Sequence, residues 1–275
     1  TRGAMPLDYD VVTYRGSSLQ FRGPRHDLDR PFLLCLGGTE TFGRFIADPF
    51  PAQIGARLGR PVVNMGVPNA GLDVMLNDPA ITQARARASA VVLQIPEAAN
   101  MNNRFYTVHP RRNDRFIKAT TLLRTIFPEV DFTEFHFTGH LLGHLAALSA
   151  DRFALVRAEL CTAWLARMRR MLTETTCPVH LLWLATRPPG MPGKPGASLP
   201  PPAGWSPAAG LVDRRMLDDA AATAASLTLT VPGPDDRGAP AKGMFHTPQD
   251  LRAARALPGP ALHDRAAAAL AALLK

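Results

Sequence analysis

Cysteine is scarce: Cys35, Cys161 and Cys177 are the only three in 275 residues, they lie in or beside apolar segments, and no two form a CxxC pair. This excludes a disulfide framework and a cysteine zinc cage, and it predicts a reducing, cytoplasmic setting. Nor is there a run of roughly 18 to 20 uncharged apolar residues, the length a membrane span needs. The opening stretch TRGAMPLDYD lacks the apolar core of a signal peptide. Acidic residues are outnumbered, 23 against 31 lysines and arginines, for a net charge of +8. That balance admits nucleic acid, anionic headgroups or phosphorylated small molecules as partners, but the arginines are scattered, which ranks nucleic acid last. The one concentrated basic run is VHPRRNDRF (108 to 116), read either as a solvated surface turn or as an anion-binding loop carrying Arg111 and Arg112.

What is present is apolar sequence: 46% of the residues are hydrophobic, enough to bury a large core. A single domain over 1–275 is expected. The Pro/Gly-dense segment RPPGMPGKPGASLPPPAGWSP (187 to 207) interrupts it as an extended flap, with Trp205 available to line a pocket. Five continuous apolar runs read as strands buried on both faces: FLLCL (32 to 36), PVVNMG (61 to 66), SAVVLQI (89 to 95), PVHLLWLA (178 to 185) and SLTLTV (226 to 231). Helical segments separate them, among them PAQIGARLG, VDRRMLDDAAATAA and the closing GPALHDRAAAALAALLK. Residues 115 to 175 are expected to be mainly helical, with DFTEFHFTGHLLGHLAAL as one helix and Ser149 capping the next. The pattern predicts a three-layer α/β/α doubly wound, flavodoxin-like, five-stranded parallel sheet with a helical insert at about 105–175. Ligands in such sheets sit beyond the C-terminal strand ends, which selects the loops after each run.

Those loops hold the chemistry-bearing residues. The first run ends in Gly37-Gly38-Thr39-Glu40-Thr41, the second in Asn64-Met65-Gly66-Val67-Pro68-Asn69-Ala70-Gly71, the third leads to Asn100, Asn102 and Asn103, and the closing helix carries His263. This arrangement resembles the SGNH, or GDSL-type, hydrolases, as a divergent bacterial branch. The passage PFPAQIGARLGRPVVNMGVPNAGLD (49 to 73) matches their block-one-to-block-two spacing, and LHDRAAAALAALL (262 to 274) matches their closing helix. Three positions depart from the family pattern: Thr39 stands at the serine position, Gly38 at the preceding aspartate, and Pro260 at the acid three residues before the histidine. An intact serine triad is absent.

The resemblance implies an esterase, acyl hydrolase or acyltransferase acting on a small or glycan-linked substrate. It implies Thr39 as nucleophile, His263 as general base, and an oxyanion site from the Thr39 and Asn69 backbone with an Asn side chain, Asn100 being the best fit and Asn102 and Asn103 the alternatives. Asn69 stands where the family has glycine, and Asn tolerates the left-handed backbone that position needs. Asp264 or a backbone carbonyl would set the imidazole tautomer. Asn64, Gly66, Asn102, Asn103, Arg111 and Arg112 are the remaining candidate substrate contacts, together with Glu40, whose other reading is surface exposure or an ion pair with Arg44. His246, in the loop before the last helix, competes with His263 as base. The alternative function is an inactive relative that keeps the scaffold and binds an anionic or carbohydrate ligand. No cofactor is expected, and self-association is left open.

His136, His140 and His144 recur every four residues, a spacing that also suits zinc on a helix. The interleaved Phe137, Leu141, Leu142 and Leu145 account for the segment as ordinary packing, and no metal is expected.

Overall fold

A computed structural model describes residues 7–190, 210–233, 236 and 241–275. The expected flap therefore lies mostly outside the described residues, as does Trp205. In chain order the elements are β1 (Val11–Val12), β2 (Phe21–Arg22), β3 (Leu33–Gly37), α1 (Thr39–Phe42), α2 (Phe50–Leu58), β4 (Val62–Gly66), α3 (Leu72–Asn77), α4 (Pro79–Arg87) and β5 (Ala90–Gln94). There follow β6 (Tyr106–His109), β7 (Arg112–Ala119), α5 (Thr121–Ile126), α6 (Thr138–Leu148) and α7 (Ala150–Thr173). The chain then runs through β8 (Val179–Leu184), α8 (Arg214–Ala221), β9 (Ser226–Thr230), α9 (Leu251–Arg255) and α10 (Pro260–Leu273).

The five apolar runs form one parallel sheet in the order β4-β3-β5-β8-β9. Successive side chains of a strand point to opposite faces, so β4, β3, β5 and β8 feed two cores, whereas β9, at the sheet edge, is only partly buried with Leu229 exposed, contrary to the expectation of burial on both faces. Leu34, Leu36, Val91, Leu93, Leu181 and Trp183 pack with α3, α4, α7 and α8 on one face. Leu33, Cys35, Ala90, Val92, Leu182 and Leu184 pack on the other against Phe50 and Ile54 of α2 and Leu262, Ala266 and Leu270 of α10. The fold is thus the expected three-layer α/β/α arrangement. The order reverses beside β3, whose neighbours are β4 and β5, and a crevice opens there beyond the strand ends.

The insert departs from its all-helical expectation. Residues 112–119 are strand β7, paired antiparallel with β6; its buried residues Asn113, Phe116 and Ala119 recur every three positions and not every two, because the register shifts along the pair. Thus 108–116 spans the turn of a β-hairpin. The next expected helix is broken too: Phe132–Glu134 is one 3-10 turn, 135–137 is extended, and α6 starts only at Thr138. Phe116 N–H donates to the His136 carbonyl at 3.1 Å, so that segment joins the hairpin instead of a helix. His136 consequently lies off the helix, while His140 and His144 both pack on the Phe135 ring, at 4.9 and 5.2 Å.

Candidate active site

Strand β3 leaves the sheet through Gly37 and Gly38, and the reason is steric. A side chain at Gly37 would collide with Thr41 Oγ1 and with Gln94 Oε1, which the turn wraps around. Gln94, the last residue of β5, accepts the Gly38 N–H at 2.8 Å and the Thr41 hydroxyl at 3.3 Å. Its own Nε2 donates to the Ile95 carbonyl. This side chain fastens the turn to the neighbouring strand and sets Thr39 at the crevice.

A cavity of about 290 Å³ opens there, lined by Thr39, Glu40, Asn69, Gln94, Glu97, Asn100, Trp183 and Arg187 among others, with Leu257 and Pro258 from the loop before α10. Asn69 adopts φ 61, the left-handed conformation that Asn accommodates better than most residues. In that conformation it brackets the Thr39 hydroxyl: its backbone N–H donates to Oγ1 at 3.0 Å, and Oγ1 donates to its Oδ1 at 3.3 Å. Asn100 reaches the same cavity, with its Oδ1 accepting the Thr138 hydroxyl at 2.7 Å. The two loops interlock, since a Cβ at Gly71 would strike the Asn100 carbonyl.

Glu40 is partly buried in this cavity and does not pair with Arg44. The helix stops at Gly43, which takes φ 75, so Arg44 leaves the helical register and bonds Asp250 at 3.3 Å instead. The carboxyl folds back over the turn: a Cβ built on Gly38 would meet Glu40 Oε2 at 3.4 Å. Desolvation lifts the Glu40 carboxyl to about 7; its own backbone hydrogen bond opposes the rise and Glu97 adds to it. Glu97 stands exposed at the rim of the same cavity.

Of the sequence-derived candidates, Thr39, Glu40, Asn69 and Asn100 therefore meet in one cavity. The others do not join them. His263 is 1% exposed in the seam between α2 and α10, its Nδ1 accepting the Phe50 N–H at 3.2 Å and its ring stacked on Phe50. Burial, with the Arg22 charge, lowers its pKa to about 3, so it is a neutral packed ring outside the cavity lining. Asp264, the candidate orienting acid, faces outward and binds Arg57 at 2.7 Å. The rival His246 also misses the cavity, packing edge-on to Phe45.

The remaining expected contacts lie outside the cavity lining. Asn64 ties β4 to α1 by donating to the Thr41 carbonyl, and Gly66 lets that helix backbone lie against the strand. Asn102 accepts the Val108 N–H, and Asn103 Oδ1 accepts those of Phe105 and Tyr106, so both shape the approach to the hairpin. Arg111 and Arg112 are exposed at the hairpin tip, outside the cavity lining. Sequence reasoning passed over Gln94, Glu97, Thr138 and Arg187. The first two had a visible signal, being polar residues at and just beyond the end of a buried strand.

Among the described residues no group of three or more His, Cys, Asp or Glu is placed to hold a metal ion, and no helix is long and apolar enough to cross a membrane.

Solved structures similar to the chain include the lipase Lip_vut3 from a goat rumen metagenome, 11% identical with a TM-score of 0.45 over 88% of this chain and 97% of that one. Another is a protein of Slackia heliotrinireducens classed provisionally as an SGNH hydrolase, 15% identical, TM-score 0.45, over 89% and 98%. A third is an acetyl-xylooligosaccharide esterase from Geobacillus Stearmophilus, 15% identical, TM-score 0.39, over 88% and 92%. Likenesses this distant support no statement about the activity of this chain. No curated protein matches the sequence. The model of one family, described as Domain of unknown function (DUF6473), matches residues 1–275, and the chain belongs to that family.

Proposed function

We propose that the chain transfers or hydrolyses an acyl group of a small or glycan-linked ester, with Thr39 as nucleophile and Glu40 in place of a histidine as the proton acceptor. The observation that carries this reading is the shared cavity: a hydroxyl held by a left-handed Asn69 stands beside a carboxyl lifted to about 7. A carboxyl titrating near neutrality both accepts and returns a proton at working pH.

In the proposed cycle the Thr39 hydroxyl adds to the ester carbonyl as its proton passes to ionised Glu40, directly or through one water. Asn100 Nδ2 and the Thr39 backbone N–H stabilise the oxyanion, and the Asn69 N–H becomes available as Oγ1 moves into its new bond. Collapse expels the alcohol, which takes the proton from Glu40 and leaves acyl-threonine. Water or an acceptor alcohol then attacks with Glu40 again as base, releasing the acyl product and restoring the Thr39 hydroxyl. Which acceptor enters decides between hydrolase and acyltransferase.

A second reading, an inactive relative holding an anionic or carbohydrate ligand, is favoured by one specific observation: no imidazole is among the described residues that line the cavity. Turnover of short p-nitrophenyl esters and of acetylated sugars separates the two. Under the acyl-transfer reading Thr39→Ala abolishes turnover and a fluorophosphonate labels Thr39. Wild-type inactivity on the whole panel, or unchanged turnover by Thr39→Ala, would sink it.

A further inference from the structure

We propose that Thr138, on the first turn of α6 in the insert, is a positioning residue that fixes the Asn100 side-chain amide so that its Nδ2 is the group offered to the cavity. The orientation follows from the two bonds of Thr138. Its hydroxyl is 2.7 Å from Asn100 Oδ1 and 3.3 Å from the Asp114 carbonyl, and Thr138 itself is 2% exposed. A separation of 2.7 Å is the usual length of a hydroxyl donating to oxygen and is short for an amide N–H donating to a hydroxyl. With one proton to give, Thr138 gives it to Asn100 Oδ1. Rotating the amide by half a turn would set Nδ2 against the hydroxyl and take the donor out of the cavity.

The surroundings make that hydroxyl a fixed point. Residues 135–137 run beside β7, through the Phe116 N–H bond to the His136 carbonyl and an antiparallel bridge between Arg115 and Phe137. Just beyond, Leu141, Leu142 and Leu145 bury α6 in the core. The loop that carries Asn100 is pinned on both sides by α7, where Trp164 Nε1 donates to the Pro96 carbonyl at 3.0 Å and Arg167 Nη2 to the Asn102 carbonyl at 2.7 Å. With the loop backbone held, the remaining freedom is the turn of the Asn100 amide, and Thr138 sets it.

The orientation of the amide stands by itself; its catalytic consequence rests on the acyl-transfer reading. The test uses the full chain with Thr138→Val, which keeps the shape and removes the hydroxyl, and Thr138→Ser, which restores a hydroxyl. The first readout is the Asn100 side-chain amide pair in a 1H–15N spectrum, identified by its loss in Asn100→Asp. It is expected to shift or broaden in Thr138→Val and to return in Thr138→Ser. The second is turnover: kcat falls roughly tenfold or more in Thr138→Val with KM nearly unchanged, recovers in Thr138→Ser, and falls no further when the substitution is added to Asn100→Ala. An unmoved Asn100 amide, or an equal loss in the Asn100→Ala background, overturns the proposal. Should Thr138→Val fail to fold, Thr138→Ala is read by the same criteria. Wild-type inactivity on acyl esters would defeat the acyl-transfer reading alone, and the amide spectrum would still decide the orientation.

Discussion

Glu40 and His263 each lie in surroundings that their residue types do not suggest. The carboxylate next to the nucleophile position looks like a surface residue, and the histidine in the closing helix looks like a base. Burial reverses both, because desolvation works against whichever form is charged. For Glu40 the protonated form is favoured, with a pKa near 7 against an ordinary 4.5. Its contribution to stability is therefore full below about 4.5 and is lost as pH rises towards 7. Urea midpoints should show wild type losing stability relative to Glu40→Gln across that window and running parallel to it above. In the acyl-transfer reading, kcat/KM rises with pH through about 7, and Glu40→Gln lowers it by about 10² to 10⁴ and abolishes the inflection. The opposite sign holds for His263, whose neutral ring is favoured down to about 3. Its contribution is present above about 6.5 and is lost as pH falls towards 3. Glutamine at 263 keeps an acceptor for the Phe50 N–H without an ionisable ring. His263→Gln should thus lose less stability than wild type between pH 7 and 4, while ester turnover at pH 7.5 stays within a few-fold.

At the scale of elements, α1 is too short to hold itself, since four residues close barely one turn. Its position comes from neighbours. Gln94 fastens its start, Asn64 takes the Thr41 carbonyl, and buried Arg22 of β2 donates to the carbonyls of Phe42, Gly43, Ile46 and Ala47 at 2.7 to 3.3 Å. Arg22→Met would strand several of these carbonyls and should cost about 2 to 4 kcal/mol, given 1 to 3 per buried group left unpaired. Matched denaturation curves check it. None of these three partners is near α1 in sequence, so the helix was legible only as a turn. The insert misled for a related reason: Phe116 and His136 pair across twenty residues, and local propensity does not see a partner that distant.

Over the whole molecule, the crevice forms where the strand order reverses, and the insert, which contributes none of the described lining residues, braces two of its loops from behind. Arg167 of α7 reaches back to Asp73 at 2.6 Å while holding the Asn102 carbonyl, and buried Asn113 of β7 accepts the Gly71 and Val74 N–H groups at the start of α3. These bonds tie the loops bearing Asn69 and Asn100 to one body. Arg167→Met should cost about 1 to 3 kcal/mol, since it removes charge-assisted bonds from a partly buried carboxylate. Hydrogen exchange should quicken first in the loop that carries Asn102.

The sequence alone determined the five strands, the burial of four of them on both faces and the edge at which their loops leave, because a buried parallel strand is continuously apolar; the edge position of β9 was not legible. It also marked Thr39, Asn69 and Asn100, which lie immediately after those strands. Tertiary structure decided which titratable group shares their cavity. That choice depends on the packing of α10 on Phe50 and on the space left above Gly38, distances between residues far apart in the chain that no local pattern encodes.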